Sequence, residues 1–266
     1  TLSFDQTGGS FNATGFTTIN ATTAGDTDDI DIDSLTTAMT LNIKDNADDV
    51  NLDYADDATA TLVFDASSAI DVDDDSLISD AQTVNITTKG GNDSTVTDDV
   101  VLDATDTDYL TITAGVADSG FVVSGLLQGT KVQTLTLTSS NTGAPITVTG
   151  TLLSNAAELT TITASATDGD NTSDITFGSG ATGGITAADK LTTIDLDASH
   201  GADITTGAVS GSSAALTSIT ADATTTGSII TTGALTFASV SNITTSAVSG
   251  AEVDLAGALA ISTVGT

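Results

Sequence analysis

The stretch Leu159-Thr-Thr-Ile162-Thr-Ala164 recurs in variant form along the whole chain. Each variant has an apolar residue, two small polar residues and then an apolar–polar–apolar alternation. Alternation with a period of two predicts a short, half-buried β-strand. The central apolar residues of the variants are Ile19, Leu41, Leu62, Val84, Leu110, Leu135, Ile162, Ile194, Ile219 and Ile243.

These central residues are 21 to 27 residues apart, except for a gap of 32 before Ile194. A second family of short apolar segments shares this period and lies between them. It comprises Ile30–Ile32, Val50–Leu52, Ile70–Val72, Val100–Leu102, Phe121–Val123, Ile146–Val148, Ile175–Phe177, Ala202–Ile204, Ile229–Ile230 and Val253–Leu255. Two or more strands in each unit of this length predict a parallel β-solenoid.

The predicted architecture is therefore all-β, with about ten coils stacked into one continuous solenoid over residues 1–266. Residues 1–120 form an Asp-rich half with 25 of the 34 Asp, and residues 121–266 form a Thr/Gly/Ser-rich half with nine. A β-sandwich built from repeats and a leucine-rich-repeat-like solenoid remain alternatives, because both are compatible with short alternating strands.

Composition narrows the possible functions. The net charge is −32, from 36 acidic residues against four Lys, no Arg and one His. Nucleic-acid binding is excluded, since it requires basic side chains on phosphates. No apolar run approaches the ~20 residues that span a bilayer. The absence of Cys excludes disulfides and thiolate chemistry. This Cys-free, Asp-rich and Lys-poor composition indicates an extracellular setting.

The acidic residues occur in clusters that suit Ca²⁺, a hard cation that takes six to eight oxygen ligands. Stacked coils would bring these clusters together, and a cation would turn their repulsion into cohesion. A solvated acidic surface is the simpler alternative. The turn with Asp45, Asp48 and Asp49 is equally acidic but is not assigned as a ligand set. The candidate calcium ligands are Asp26, Asp28, Asp29, Asp31, Asp33, Asp71, Asp73, Asp74, Asp75, Asn92, Asp93, Asp98, Asp99, Asp106, Asp108, Asp168, Asp170 and Asp174.

Two of these segments resemble known calcium motifs. Gly90-Gly91-Asn92-Asp93 resembles part of the Gly-Gly-x-Gly-x-Asp repeat of RTX β-rolls, without its third glycine or tandem copies. Asp168-Gly169-Asp170-Asn171 resembles the start of an EF-hand loop but lacks its terminal Glu.

The whole chain resembles the bacterial surface-layer proteins and the large RTX-type surface proteins that type I secretion exports. This resemblance implies a Ca²⁺-bound β-solenoid that is exported and self-assembles. The expected function is a structural subunit of an extracellular array, such as an S-layer or a matrix filament. The alternatives are a calcium-dependent adhesin or glycan-binding module and, less favoured, a carbohydrate-active enzyme.

Catalysis has little support in the sequence. The single histidine, His200, follows Asp195 and Asp197 in a predicted turn, but no nucleophile elbow accompanies it. Polysaccharide lyases on β-helices use basic residues, and this chain has no Arg. We therefore expect a protein that is not an enzyme.

The expected partner is a second copy of the chain. Thr1–Phe4 and Leu259–Val264 read as strands, which predicts that the terminal coils meet neighbouring subunits or further parts of the same polypeptide. A cell-surface polysaccharide is a second possible partner. Recurring Thr-x-Thr pairs, such as Thr136 and Thr138, are interpreted as strand-compatible polar surface, with ice binding as the alternative.

Overall fold

The computed structural model is all-β and has no helix in the residues it describes. Strand pairing among these residues is parallel throughout. The predicted parallel β-solenoid is confirmed, and the β-sandwich alternative is excluded. The structure describes residues 2–6, 11–12, 15–23, 29–35, 39–65, 69–74, 76–102, 107–153, 156–167, 172–178, 184–255 and 260–264.

Most turns of the solenoid carry three strands, which define faces A, B and C. Face A holds β1 (Leu2–Gln6), β3 (Thr18–Thr23), β5 (Met39–Ile43), the second parts of β6 (Val50–Asp65) and β8 (Ser76–Lys89), β11 (Tyr109–Ala114), β14 (Thr134–Ser139), β16 (Thr161–Ala166), β19 (Thr193–Ala198), β22 (Ser218–Ala223) and β25 (Ile243–Ala247). Face B holds β7 (Ile70–Val72), β9 (Ser94–Val96), β12 (Phe121–Val123), β15 (Ile146–Val148), β17 (Ile175–Phe177), β20 (Ile204–Thr206), β23 (Ile229–Thr232) and β26 (Glu252–Asp254).

Face C closes each turn between face B and the next strand of face A. It holds β2 (Phe11–Asn12), β4 (Ile30–Leu35), the first parts of β6 and β8, β10 (Val100–Leu102), β13 (Leu127–Gln128), β18 (Gly184–Ile185), β21 (Ala208–Leu216), β24 (Leu235–Val240) and β27 (Ala260–Val264). Face B has eight strands in one sheet. The described residues therefore form about eight turns, slightly fewer than the ten predicted.

The core consists of apolar columns that run along the solenoid axis. On face A, parallel pairing stacks Leu110, Leu135, Ile162, Ile194 and Ile219 in one register, and all five are buried. Burial of each side chain against the rungs above and below supplies the main stabilisation. The inward positions of the repeat are thus core, as its alternation predicts.

The sequence alignment is wrong at one step of face A. It treats Val84 as the equivalent of Leu62, whereas the structure pairs Leu62 with Ile86 and Ala60 with Val84. The pairing of β6 with β8 is irregular after Asp53, and the register shifts there. A shift of two residues preserves the inward and outward alternation, so the pattern alone does not reveal it.

The second strand family is also divided differently in the structure. The segments starting at Ile30, Val50 and Val100 lie on face C, whereas those starting at Ile70 and Phe121 lie on face B. The two-family alignment merges these faces because the missing strands are short and begin with small residues. Examples are Ser94–Val96 and Gly184–Ile185.

Candidate metal sites in the acidic turns

The acidic turns stack at the corner where face B passes into face C. Asp48 and Asp49 precede β6, and Asp98 and Asp99 precede β10 in the same position two turns later. The backbone N–H of Asp74 donates to the Asp48 carbonyl at 2.7 Å, and that of Ser76 donates to the Asp99 carbonyl at 2.8 Å. The sequence clusters are thereby brought together in one place, which we name the acidic corner. It comprises Asp29, Asp48, Asp49, Asp73, Asp74, Asp98 and Asp99.

Asp49 is the most constrained carboxylate of the acidic corner. Its Oδ2 accepts a hydrogen bond from Asn51 Nδ2 at 3.0 Å, and the same amide reaches Asp31 Oδ1 at 3.2 Å. Its Oδ1 is buried and accepts no hydrogen bond from any residue that the structure describes. A buried acceptor without a donor is costly, and a cation would satisfy it.

The environment of Asp49 also disfavours the ionised form of its carboxyl group. Burial raises its pKa to about 6, the negative charges of Asp29, Asp31 and Asp48 add to this effect, and the Asn51 hydrogen bond opposes it. In the sequence, Asp49 lies in an acidic turn and is not among the predicted ligands. Only its burial and its stacking against the neighbouring turns distinguish it from the other acidic residues.

Asp31 connects the acidic corner to an open depression on face C. This depression has a volume of about 320 Å³ and is lined by Asp31, Asp33, Asn51, Asp53 and Ser79, with Leu77 beside them. Carboxylate, amide and hydroxyl oxygens are ligands that Ca²⁺ accepts. The depression offers these groups together with room for coordinating water.

The fit of a metal ion to these residues is partial. Among the described residues, no three His, Asp or Glu side chains converge closely enough to hold an ion. A cation at the acidic corner would use Asp49 and Asp31, together with backbone carbonyls and water, which Ca²⁺ commonly takes as ligands. Bound there, the ion would supply positive charge to the buried Oδ1 of Asp49.

Three predicted ligands have a structural role that the sequence does not reveal. Asp93 Oδ1 accepts the Gly120 N–H at 2.7 Å, and Asp99 Oδ1 accepts the Leu126 N–H at 2.6 Å. In the same way, Asp174 Oδ1 accepts the Asp203 N–H at 2.9 Å. Each bond joins one turn to the next, and hydrogen bonds to a carboxylate are stronger than neutral ones.

Of the other predicted ligands, Asp29, Asp73, Asp74 and Asp98 lie in the acidic corner and the rest are dispersed. Asp71 accepts a hydrogen bond from Thr97 Oγ1 on the surface of face B, and Asp108 accepts from the side-chain amides of Gln82 and Gln133. The side chains of Asp33, Asp73, Asp74, Asp93 and Asp98 are exposed, and Asn92 is half-buried in its turn. Asp26, Asp28, Asp75, Asp106, Asp168 and Asp170 lie outside the described residues.

The four lysines form two ladders with acidic residues. Lys44 and Lys89 flank Asp65, and the Lys89 Nζ to Asp65 Oδ2 distance is 3.0 Å. Burial alone would raise the pKa of Asp65, but the two lysines outweigh it and hold that pKa below its usual value.

The second ladder has one ion pair among the described residues. Lys190 pairs with Glu158, and Lys131 contributes its charge without pairing with Glu158. The positive charge of the chain is thus directed at its own carboxylates.

His200 lies exposed at the corner between faces A and B. Its backbone has a φ of 58°, and its Nδ1 lies 3.1 Å from Ser199 Oγ. It borders an open depression of about 560 Å³ with Thr224, Thr225 and Thr226. These contacts are those of a turn residue at the surface.

We expect Asp49→Asn to stabilise the protein in chelator at pH 8. The folded-state pKa of about 6 exceeds the ordinary value of 3.8, so ionised Asp49 opposes folding. Stability due to this group is fully present below pH 3.8 and is lost as the pH rises through 6. Urea midpoints measured from pH 4 to 8 should therefore show an advantage of the variant that grows as the pH rises from 3.8 to about 6 and stays constant above it.

Asp53→Asn is the matched control, because Asp53 lies on β6, the strand that directly follows Asp49, and its side chain is exposed. Its effect should be small and should not grow through this pH range. A loss of stability for Asp49→Asn at pH 8 would contradict the assignment of Asp49 as a strained carboxylate.

Within the described residues, no helix has the length and apolarity needed to cross a membrane. No protein-family model matches the chain, and neither a curated protein nor a solved structure matches it.

Proposed function

We propose that this chain is a structural subunit of a self-assembling extracellular array, such as an S-layer or a matrix filament, stabilised by Ca²⁺ between its acidic turns. The proposal assigns it no catalytic role. One observation carries the assembly part of this proposal: β25, the last rung of face A that the structure describes, presents core positions to solvent. Ile243 continues the column of Ile219, yet Ile243 is 38% exposed whereas Ile219 is fully buried.

The whole segment around this rung shares that exposure. Every side chain from residue 241 to residue 250 is exposed, and Val248 reaches 41%. In the described residues, β25 pairs with β22 along one edge only. An unpaired strand edge with apolar side chains is a template for another strand. A parallel strand from a second subunit, or from a further part of the same polypeptide, would bury it.

The acidic corner supports the calcium part of the proposal. Stacked turns carry like charges close together, and Asp49 has a buried oxygen without a donor. Ca²⁺ between turns would lower the repulsion and add cohesion along the axis. Binding to the folded chain alone would also raise stability in proportion to the logarithm of the free calcium concentration.

The test combines electron microscopy with light scattering, in calcium and in excess EGTA. We expect ordered polymers in calcium that dissociate in EGTA and do not re-form with Mg²⁺, which prefers a smaller and stricter octahedral site. Order retained in EGTA would contradict the calcium part. A soluble monomer in calcium would contradict the array and favour the adhesin.

Two substitutions separate assembly from stability. Ile243→Lys adds a charge to the open rung, and we expect it to prevent polymer formation. Ile229→Lys is the matched control, because Ile229 is 37% exposed but points outward on face B. Equal loss of assembly in both variants would contradict a role for the last rung.

A further inference from the structure

Two neighbouring outward columns of face A are uncharged over most of its length. They run from Thr18 and Asn20 on β3 to Thr163 and Ser165 on β16 and carry only Thr, Asn, Ser and Val. We name these two columns the neutral face; the ladder around Asp65 lies beside them. Most of these rungs belong to residues 1–120, which contain 25 of the 34 Asp. Charge is thus absent from both columns in a chain whose net charge is −32.

The neutral face is periodic in two directions. Parallel pairing aligns Thr111, Thr136 and Thr163 in one column, and Thr113, Thr138 and Ser165 in the next. Rungs lie about 4.8 Å apart, and alternate residues of a strand about 6.7 Å apart. All six side chains are half-buried in strands paired on both sides, so the array is held firmly.

Side chains of the neutral face also form a hydrogen bond between adjacent rungs. Asn42 Nδ2 donates to Asn20 Oδ1 at 2.7 Å on the first two rungs of the neutral face. The array ends where the next rung introduces Asp195 and Asp197 at the same two column positions. The two Asp side chains therefore set the boundary of the uncharged array at its C-terminal end.

We propose that the neutral face binds ice, the crystalline lattice of water. A charged group orients its own hydration shell against the lattice, and neither column of the neutral face carries one over seven successive rungs. A threonine hydroxyl both donates and accepts hydrogen bonds, as lattice water does, and its methyl group fills the space between. The two repeat distances of the array are close to oxygen repeats in hexagonal ice.

The chemistry of the face favours ice over other neutral ligands. Polysaccharide platforms stack sugars on aromatic rings, and among the described residues one exposed ring, Tyr109 at 45%, lies beside the neutral face. A second subunit would bury hydroxyls against hydroxyls, with little apolar area to drive association. Ice binding requires neither aromatic rings nor apolar area. It requires regularly spaced hydroxyl groups, which the in-register pairing of the strands provides.

The experiment measures thermal hysteresis and inhibition of ice recrystallisation by the calcium-loaded chain and two variants. Thr136→Lys places a charge at the centre of the neutral face. Thr176→Lys is the matched control, since Thr176 is the half-buried, outward residue of β17 on face B. Circular dichroism and thermal midpoints establish that both variants fold.

We expect the unaltered chain to shape ice crystals, Thr136→Lys to lose most of the hysteresis, and Thr176→Lys to retain it. The proposal is overturned if the unaltered chain lacks hysteresis, or if both variants lose it equally. Retention on a neutral polysaccharide without any effect on ice also overturns it, and assigns the face to glycans. These measurements do not depend on polymer formation. A failure of the ice-binding proposal can therefore be distinguished from a failure of the proposed array.

Discussion

Replacing Phe121 with Ala is expected to lower the free energy of unfolding by about 3–5 kcal/mol, the usual loss for a buried phenylalanine. Phe121 is fully buried at the start of β12, and its ring centroid lies 5.3 Å from that of Phe64. Both rings line a small apolar gap in the core with Leu62 and Val96. Truncation would enlarge this gap, because strands paired on both sides cannot close over it.

Urea or thermal unfolding measures this loss. Val122→Ala is the matched control, because Val122 follows Phe121 in the same strand and points outward. A change within about 0.5 kcal/mol is expected for it, as for most surface substitutions. Equal losses for the two variants would contradict the inward orientation of Phe121 on β12.

Gly207→Ala is expected to cost about 3 kcal/mol or more, the upper end for an overpacked site. A Cβ on Gly207 would lie 1.6 Å from the Gly178 carbonyl oxygen in the turn below. The same close stacking recurs one turn on, where a Cβ on Gly233 would lie 2.6 Å from the Gly207 carbonyl carbon. The methyl group added to Gly207 meets backbone rather than a flexible side chain, so it cannot be accommodated without separating two turns.

Hydrogen exchange locates this damage. The Gly207 N–H donates to the Phe177 carbonyl at 2.7 Å, and the Gly233 N–H donates to that of Thr206 at 2.8 Å. Both amides should lose protection in the variant. Ala234→Ser, which also adds one heavy atom but at an exposed position in the next turn, should leave protection unchanged. Unaltered protection in Gly207→Ala would contradict the close stacking.

The corner where face B passes into face C explains why the two halves of the chain differ in their turns. From Asp48 to Asp99 the turns between faces B and C are acidic, and from Gly125 onward they contain glycine. A Cβ on Gly125 would lie 2.6 Å from Asp99 Oδ1, which accepts the Leu126 N–H. Glycine therefore leaves room for the last acidic side chain of the corner.

The solenoid itself was predictable because its cause is local and repeated. Alternation around residues such as Leu135 and Ile162 specifies which side chains face inward, and a common spacing specifies that strands stack in parallel. The pattern did not specify which of three faces a strand occupies. Nor did it locate the register shift after Asp53, since a displacement of two residues leaves the alternation intact.

The candidate site, too, was predictable from the sequence only in part. Composition alone predicts an acidic, polyanion-excluding chain with clusters suited to a hard cation, because charge depends only on residue type. The separate roles of Asp93, Asp99 and Asp49 depend on the turn stacked above or below them, about 25 residues away in sequence. Burial, an N–H donor within 3 Å and the charge of a neighbouring turn are set by that stacking, so only the tertiary structure distinguishes the three carboxylates.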